Sequence, residues 1–322
     1  MPRPRVAGEC ELIAAFTRAL PLSGEGVLLG PGDDAALLRP PRGQELVATV
    51  DAVVEGVHFD ARFTPGDIGW KALAVNLSDL AAMGARPLWA LVALAVPPGT
   101  PRTRLQGVAR GLAACARRHR LAVVGGNVTR AVQLSLTVTV IGAVPPGRAL
   151  RRDGARPGDL VLVSGTLGDA ALGLRRGAPA ALARRQRRPV PRLALGLALR
   201  GVASAAIDLS DGLAQDLGHL CLASGAGATL FAARLPRSRA GRSAAAALAD
   251  PLGPALRGGE DYELCVTVPP GRLGAAARAA VRAGVALTLV GEVTRRRGVR
   301  VIGPDGRPIE AGPGFDHLAT SR

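Results

Sequence analysis

Segments dense in valine and threonine alternate with segments of helical length along most of this 322-residue chain, and that alternation confines it to a mixed α/β architecture. Strands are predicted at 45–59, 88–96, 121–124 and 134–144, with helices at 67–83 and 103–118. Pro65-Gly66-Asp67 opens the first helix, and Gly84 with Pro87 beyond it closes it. A basic connector containing Gly and Pro, residues 148–158, then interrupts the pattern. Beyond it the alternation resumes, with strands at 159–164, 204–209, 261–268, 287–294 and 299–302 and helices at 167–175, 211–224 and 272–283. Two domains are expected, 1–148 and 149–322. Within the second, residues 175–200 are dense in Arg, Ala and Pro and read as a solvated helical pair or loop. Pro304-Asp305-Gly306 reads as a turn joining two final extended segments.

The core of these elements has to be built from Ala, Leu and Val, because five Phe, two Trp and one Tyr are all the aromatics present. So few rings leave no row of stacking platforms for single-stranded nucleic acid. At 48% apolar and 20% charged, the chain can bury a large core. Its formal charge of +16 raises the question of an anionic partner. Lys71 is the only lysine, however, so arginine supplies the rest of the 41 basic residues, alongside abundant Ala, Gly and Pro. A composition bias expressed as an Arg-rich solvated exterior accounts for this better than a binding stripe, and no nucleic-acid partner is expected. Cys10, Cys115, Cys221 and Cys265 are widely spaced with no C-x-x-C pair and read as isolated buried thiols. The opening MPRPRVAGECELI lacks the apolar run of a signal peptide, and the longest apolar stretch, 88–96, is far short of a membrane span. The expectation is a soluble cytoplasmic protein without a membrane partner.

With arginine as background, the 25 acidic residues carry the information. Asp33, Asp34, Asp51, Glu55, Asp79, Asp208, Asp211, Asp216, Glu260, Asp261 and Glu263 fall in five short segments, each beside an apolar strand or helix and each containing Gly, Ser, Thr or Asn. In GPGDDAALL, Asp33 and Asp34 follow a bent Gly-Pro-Gly, which alone is an ordinary acidic turn. In ATVDAVVEGVHF, Thr49 and Asp51 share one face of a strand, and an Asp in a Val-rich strand calls for a cation or hydrogen-bond donors. Asn76 and Asp79 share a helix face amid apolar residues, which fits a packing hydrogen-bond network and a ligand role equally. Asp208 stands at a strand end and Asp211 at a helix start, with Ser210 between them, an arrangement that commonly holds phosphate or its metal. Helix capping is the plainer role for Asp211, though not for Asp208.

Gly-rich turns are expected beside these acids: 125–130 (GGNVTR), 164–169 (SGTLGD) and 258–261 (GGED). Glycine lets backbone N–H groups approach phosphate oxygens. No Walker A pattern is present and Lys71 lies in a helix, so a nucleotide is expected to be held by hard oxygen ligands and Mg²⁺. Among the histidines, only His58, at the end of an acid-bearing strand, stands above a packed core role.

Taken in order, GDDAALL, VDAVVEGVHF, KALAVNLSDLAAMGARP, GGNVTR, SGTLGDAALGL, AIDLSDGLAQDLGH and GGEDYEL resemble the thiamine-monophosphate kinase family, from GECELIAAF near the N-terminus to GFDHL near the C-terminus. Single motifs are shared with the wider superfamily of aminoimidazole-ribonucleotide synthetase, selenophosphate synthetase and hydrogenase-maturation proteins, whereas the NLSDLAAMGA helix with GGEDYEL is particular to the kinase. The resemblance implies a two-domain aminoimidazole-ribonucleotide-synthetase-like fold. Its N-terminal ATP- and Mg-binding domain pairs through sheet strands into a barrel in a homodimer, and its C-terminal α/β domain completes the active site. It implies ATP- and Mg²⁺-dependent phosphorylation of thiamine monophosphate to thiamine diphosphate. The metal ligands it carries over are Asp34, Asp51, Asp79, Asp208 and Asp211, with Thr49 and the position of Asn127. Asp33, Gly125, Gly126, Arg152 and Ser210 fall on the nucleotide contacts, and His58, Glu260 and Phe315 on the thiamine phosphate contacts. Of these, Asp34, Asp79, Asp208 and Arg152 are expected to carry the transfer.

Three positions depart from the family's pattern. Neutral Asn127 replaces an Asp of the usual GGDTTRG, where this chain has GGNVTRA with Ala131; Val50 replaces a hydroxyl residue; and Phe315 stands where Trp or Tyr is common. An amide carbonyl still coordinates but supplies no charge, so weaker metal binding is expected. The alternatives carried alongside are another ATP-dependent synthetase of the superfamily, a catalytically lapsed ATP-binding protein and a basic nucleic-acid-binding protein. Against the selenophosphate synthetase reading, Cys10 has no lysine near it in sequence.

Overall fold

The computed structural model describes residues 13, 14 and 16–315, so Cys10, most of GECELIAAF and the last three residues of GFDHL lie outside the described residues. The chain divides into two compact units, Met1–Leu80 with Arg86–Pro146, and Ala81–Ala85 with Gly147–Arg322.

The first unit begins with a small antiparallel pair, β1 (Val27–Leu29) and β2 (Leu37–Leu38). A four-stranded sheet follows, built from β3 (Glu45–Val54), β4 (Arg86–Val96), β5 (Ala122–Arg130) and β6 (Ser135–Val144) in the order β3-β6-β4-β5. Helix α1 (Pro65–Ala82) lies between β3 and β4 in the chain, and α2 (Arg102–Arg118) links the parallel pair β4 and β5. Alternation along the strands separates two faces. Val53, Leu136, Val138, Val140, Val92 and Leu94 are buried, while Leu46, Val50 and Leu91 on the opposite face are exposed. The two helices approach each other at glycines: a Cβ on Gly69 would lie 1.9 Å from the Val108 carbonyl oxygen, and one on Gly111 equally close to that of Gly66.

The second unit is a seven-stranded sheet in the order β13-β12-β9-β11-β7-β10-β8. Its strands are β7 (Leu160–Ser164), β8 (Ala205–Asp208), β9 (Gly227–Phe231), β10 (Leu264–Val268), β11 (Leu287–Thr294), β12 (Gly298–Ile302) and β13 (Pro308–Ile309). Only β9 and β12 pair in parallel. The helices are α3 (Asp169–Gly173), α4 (Ala180–Arg187), α5 (Leu193–Leu199), α6 (Leu213–Ala223), α7 (Arg239–Ala245), α8 (Gly253–Arg257) and α9 (Leu273–Ala283). Its main core is Leu, Val, Ala and Ile, with Cys221 and Cys265 among them.

Four expectations are corrected. The Gly125-Gly126 segment is not a turn: after a register shift at Val124, β5 pairs with β4 from Gly125 on to Arg130. A Cβ on Gly126 would sit 2.0 Å from the Val92 carbonyl oxygen, so here glycine serves close strand approach. The strand predicted at 45–59 stops at Val54, and His58 belongs to the turn beyond. The strand predicted from 261 starts at Leu264, because Glu260 and Tyr262 take positive φ of 69° and 49°. Finally, β9 is missed by sequence patterning because GATLF opens on Gly and Ala; a Cβ on Gly227 would meet the Arg296 carbonyl oxygen at 1.9 Å.

His119, capping the C-terminus of α2, gives a first prediction. Burial, reinforced by Arg118, pushes its pKa from near 6.5 down to about 4, so the folded chain keeps this imidazole neutral where the unfolded chain protonates it. Stability is therefore unaffected above pH 6.5 and is lost as pH falls from about 6.5 to about 4. In thermal melts across that range, His119→Gln is expected to flatten the acid decline; parallel wild-type and variant curves would remove His119 as its source.

Candidate active site

In the first unit, a cavity of about 650 Å³ opens on the sheet face away from the buried valines. Asp33 and Asp34, from the bend between β1 and β2, line it together with Gly125, Gly126 and Asn127 of β5 and Thr137 and Thr139 of β6. The bend is braced locally, the Asp34 N–H donating to Asp33 Oδ1 at 2.8 Å. Register puts Asn127 opposite Ala93 and Ala93 opposite Thr137, so all three share this face.

Thr49 and Asp79 meet on the other face, where Thr49 Oγ1 donates to Asp79 Oδ2 at 2.6 Å and ties β3 to α1. Asp51, two residues along an unbroken register, shares the face of Thr49. The acids of this unit are therefore split between two sides of one sheet, a division that sequence does not reveal. One turn before Asp79 on α1, Asn76 is fully buried; its Nδ2 donates to the Ala72 carbonyl at 3.0 Å. His58 is fixed at both ends: its Nδ1 accepts from Val54 N at 3.2 Å, and its carbonyl accepts from Lys71 Nζ at 3.0 Å. Lys71 is fully buried, with its ammonium 5.4 Å from the Phe63 ring centre.

In the second unit, Asp208 ends β8 and is buried, and Ser210 and Asp211 follow before α6. Gly212, with φ of 116°, makes this turn, and a Cβ there would lie 2.7 Å from the Arg257 backbone. Asp216 reaches back from α6 to accept from the N–H groups of Asp211 and Gly212, both at 3.1 Å. Burial pushes the Asp216 carboxyl up to about 7. The Phe315 N–H donates to the Asp211 carbonyl at 3.0 Å, which brings two predicted site residues together.

The GGEDYEL segment is held by the Arg-rich stretch. Fully buried Glu263 accepts from Arg185 Nη2 and Arg192 Nε, each at 2.6 Å, and from Ser164 Oγ at 2.5 Å. Gln186 Nε2 donates to Glu260 Oε2 at 3.2 Å. Asp261 accepts from the N–H groups of Gly168 and Ala170 at 2.7 and 3.3 Å, while burial pushes its carboxyl up to about 8. A second cavity, of about 580 Å³, is lined by Phe315, Gly258 and Gly259 beside the Asp250–Arg257 ion pair.

Arg152 is exposed, and the hydrogen bonds and ion pairs among the described residues do not include its guanidinium; its carbonyl accepts from Ser224 Oγ at 2.7 Å. Among the described residues no three His, Cys, Asp or Glu side chains gather as a metal site. Lys71, Gln186, Gln215 and the anchoring of Glu263 by two arginines were not picked out from sequence. The available signals were a lone lysine in an Arg-rich chain and, of only five glutamines, one (Gln215) inside the acidic 207–219 motif; Gln186 sits among arginines and carries no such signal.

Two family models match the chain: the AIR synthase related protein N-terminal domain over residues 32–144, and the corresponding C-terminal domain over 156–304. The thiamine-monophosphate kinase of Salmonella typhimurium is 42% identical over 97% of this chain and 99% of its own length, and that of Escherichia coli K12 is 43% identical with the same coverage. The solved thiamine-monophosphate kinase of Stenotrophomonas maltophilia K279a superposes with a TM-score of 0.83 at 44% identity, covering 92% of this chain and 96% of that one. AaThiL complexed with AMPPCP and TMP gives a TM-score of 0.77 at 32% identity, covering 99% of both. Escherichia coli HypE, at 24% identity and a TM-score of 0.79, shares the fold alone. The shared motifs, both domain matches and identity above 40% across almost the whole length place this chain in the thiamine-monophosphate kinase family.

Proposed function

We propose that this protein transfers the γ-phosphoryl group of ATP to thiamine monophosphate, giving ADP and thiamine diphosphate. The observation that carries the reading is the near-full-length relation to thiamine-monophosphate kinases, including a structure complexed with AMPPCP and TMP. The transfer brings two anions together, so charge repulsion and alignment are the main barriers. The attacking phosphate oxygen of thiamine monophosphate is already ionised and needs little general-base help. It attacks the γ-phosphorus in line as the bond to the β,γ-bridging oxygen breaks, with no phosphoenzyme.

The proposed metal donors Asp34, Thr49, Asp51, Asp79, Asn127, Asp208 and Asp211 are all hard oxygen ligands, the set Mg²⁺ prefers. Beside Asp79, the buried Asn76 Oδ1 and Ser78 Oγ have no hydrogen-bond partner among the described residues, which fits α1 as an element that takes an additional cation. When bound, Mg²⁺ supplies charge neutralisation and alignment of the phosphates. Asp33, Gly125, Gly126 and Ser210 would contact the nucleotide, and Arg152 would offset the polyphosphate charge. With its Nδ1 accepting from Val54 N, His58 carries its proton on Nε2, the atom that donates to the thiamine phosphate in this reading. Glu260 and Phe315 would hold the thiamine itself.

A homodimer fits the same reading. Strand β3 is a ten-residue edge strand with exposed Leu46 and Val50, and pairing with a second copy would cover that face in a barrel. A cytoplasmic location suits a chain that consumes ATP, and no helix among the described residues is long and apolar enough to cross a membrane. An acceptor panel tests the function: thiamine monophosphate, thiamine, selenide and formylglycinamidine ribonucleotide, each with ATP and Mg²⁺. Thiamine diphosphate formed from the monophosphate alone is the expected result. Turnover of selenide or the ribonucleotide instead would reassign the chain to a synthetase.

A further inference from the structure

We infer that Gln215 is a positioning residue, which fixes the 311–315 segment so that the Phe315 ring lines the thiamine pocket; the inference rests on the reading of Phe315 given above. Gln215 lies on α6, and its amide is used at both ends. Nε2 donates to the Phe315 carbonyl at 3.0 Å, and Oε1 accepts from the Gly314 N–H at 3.1 Å. The two bonds from one planar amide grip the backbone on either side of the 314–315 peptide, at the Gly314 N–H and the Phe315 carbonyl, and so fix the direction in which the Phe315 side chain leaves the chain.

The neighbouring contacts act in the same sense. The Phe315 N–H is held by the Asp211 carbonyl at 3.0 Å. Arg257, from α8, donates from Nη1 to the Ala311 carbonyl at 3.2 Å while its Nη2 pairs with Asp250 at 2.6 Å. Gly314 leaves no room for a side chain: a Cβ there would lie 2.4 Å from the Asp211 carbonyl oxygen and 2.7 Å from Gln215 Oε1. Residues 311–315 have no helix or strand of their own, so these side-chain bonds replace the ladder that would otherwise order them.

The ring so placed is 48% exposed and borders the cavity of about 580 Å³ with Gly258, Gly259, Asp250 and Arg257. An exposed aromatic, fixed before the ligand arrives, offers a flat apolar contact without the entropy loss of ordering a loop on binding. The same short segment is bonded to the Asp211 carbonyl, so the proposed thiamine contact is tied directly to the turn that carries the 208–211 acids.

The test is steady-state kinetics and thiamine monophosphate calorimetry on the full chain carrying Gln215→Leu, Gln215→Glu, Phe315→Ala, and Phe315→Ala with Gln215→Leu. Gln215→Leu is expected to raise KM and Kd for thiamine monophosphate about tenfold while kcat and the KM for ATP stay within about twofold. Gln215→Glu keeps the acceptor for Gly314 and is expected to fall between Gln215→Leu and the wild type. The double variant is expected to be no weaker than Phe315→Ala alone, since Gln215 acts only through that ring. Additive losses, or an unchanged KM in Gln215→Leu beside a raised one in Phe315→Ala, would overturn the inference while leaving the thiamine role of Phe315 standing. Unchanged affinity in Phe315→Ala would overturn that role and the inference together.

Discussion

Asp208→Ala is expected to lower kcat/KM for thiamine monophosphate by about a thousandfold or more, a loss on the order of several kcal/mol of transition-state stabilisation. Asp208 is buried at the end of β8, where Leu264 of β10 pairs with it and the chain turns toward Asp211. A buried carboxylate at such a place is unfavourable for stability unless cations offset its charge. The isosteric Asp208→Asn removes the charge while keeping the volume, and is expected to lose turnover while still unfolding cooperatively in a thermal melt. Titration of Mg²⁺ separates the roles: an Asp208→Asn rate that recovers fully at saturating Mg²⁺ would demote Asp208 to a weak contributor.

The second large effect is on stability. Glu263 has no exposed surface, and two guanidiniums and one hydroxyl converge on it. Burial acts to lower the pKa of Arg185, yet the Glu263 carboxylate holds it above the ordinary arginine range. Truncation to alanine would leave both arginines facing an empty, low-dielectric site, and losing one partner of a buried pair costs about 3–5 kcal/mol. In a unit of this size that corresponds to a fall in melting temperature of roughly 10 °C. The Ser164 hydroxyl, which also accepts from Leu264 N at 2.9 Å, loses its acceptor as well. Glu263→Gln, which keeps volume and one acceptor, is expected to lose less. A Glu263→Ala melt within about 2 °C of wild type would show the cluster to be solvated enough to relax.

This cluster also shows where sequence reading stopped. The Arg-rich stretch at 175–200 reads as solvated, and α4 and α5 do form there, but Arg185 and Arg192 turn inward because Glu263 is the buried charge they neutralise. Alternation of strand-like and helical segments predicted most elements of both units, since periodicity is a local property. It failed where glycine is used for close strand approach: GGNVTR looks like a turn but continues β5, and GATLF is too poor in branched residues to announce β9.

The candidate site divides in the same way. Asp33, Asp34, Asp208, Ser210 and Asp211 were legible because Gly-rich bends and strand ends mark them. What each acid faces was not, since Asp34 with Asn127 and Thr49 with Asp79 lie on opposite sides of one sheet. Nor was the support from Gln215, which joins residues a hundred positions apart, or the bond from Lys71 to the His58 carbonyl.

The most direct test of direct phosphoryl transfer between two bound anions is a rapid-quench experiment. The protein would be mixed with Mg²⁺, thiamine monophosphate and ATP labelled in the γ-phosphate, and label followed in product and in protein from milliseconds onward. The expected result is label appearing in thiamine diphosphate from the first time points, with none on the protein. Label that passes through a protein-bound phosphoryl group, or that leaves ATP without entering thiamine diphosphate, would contradict it.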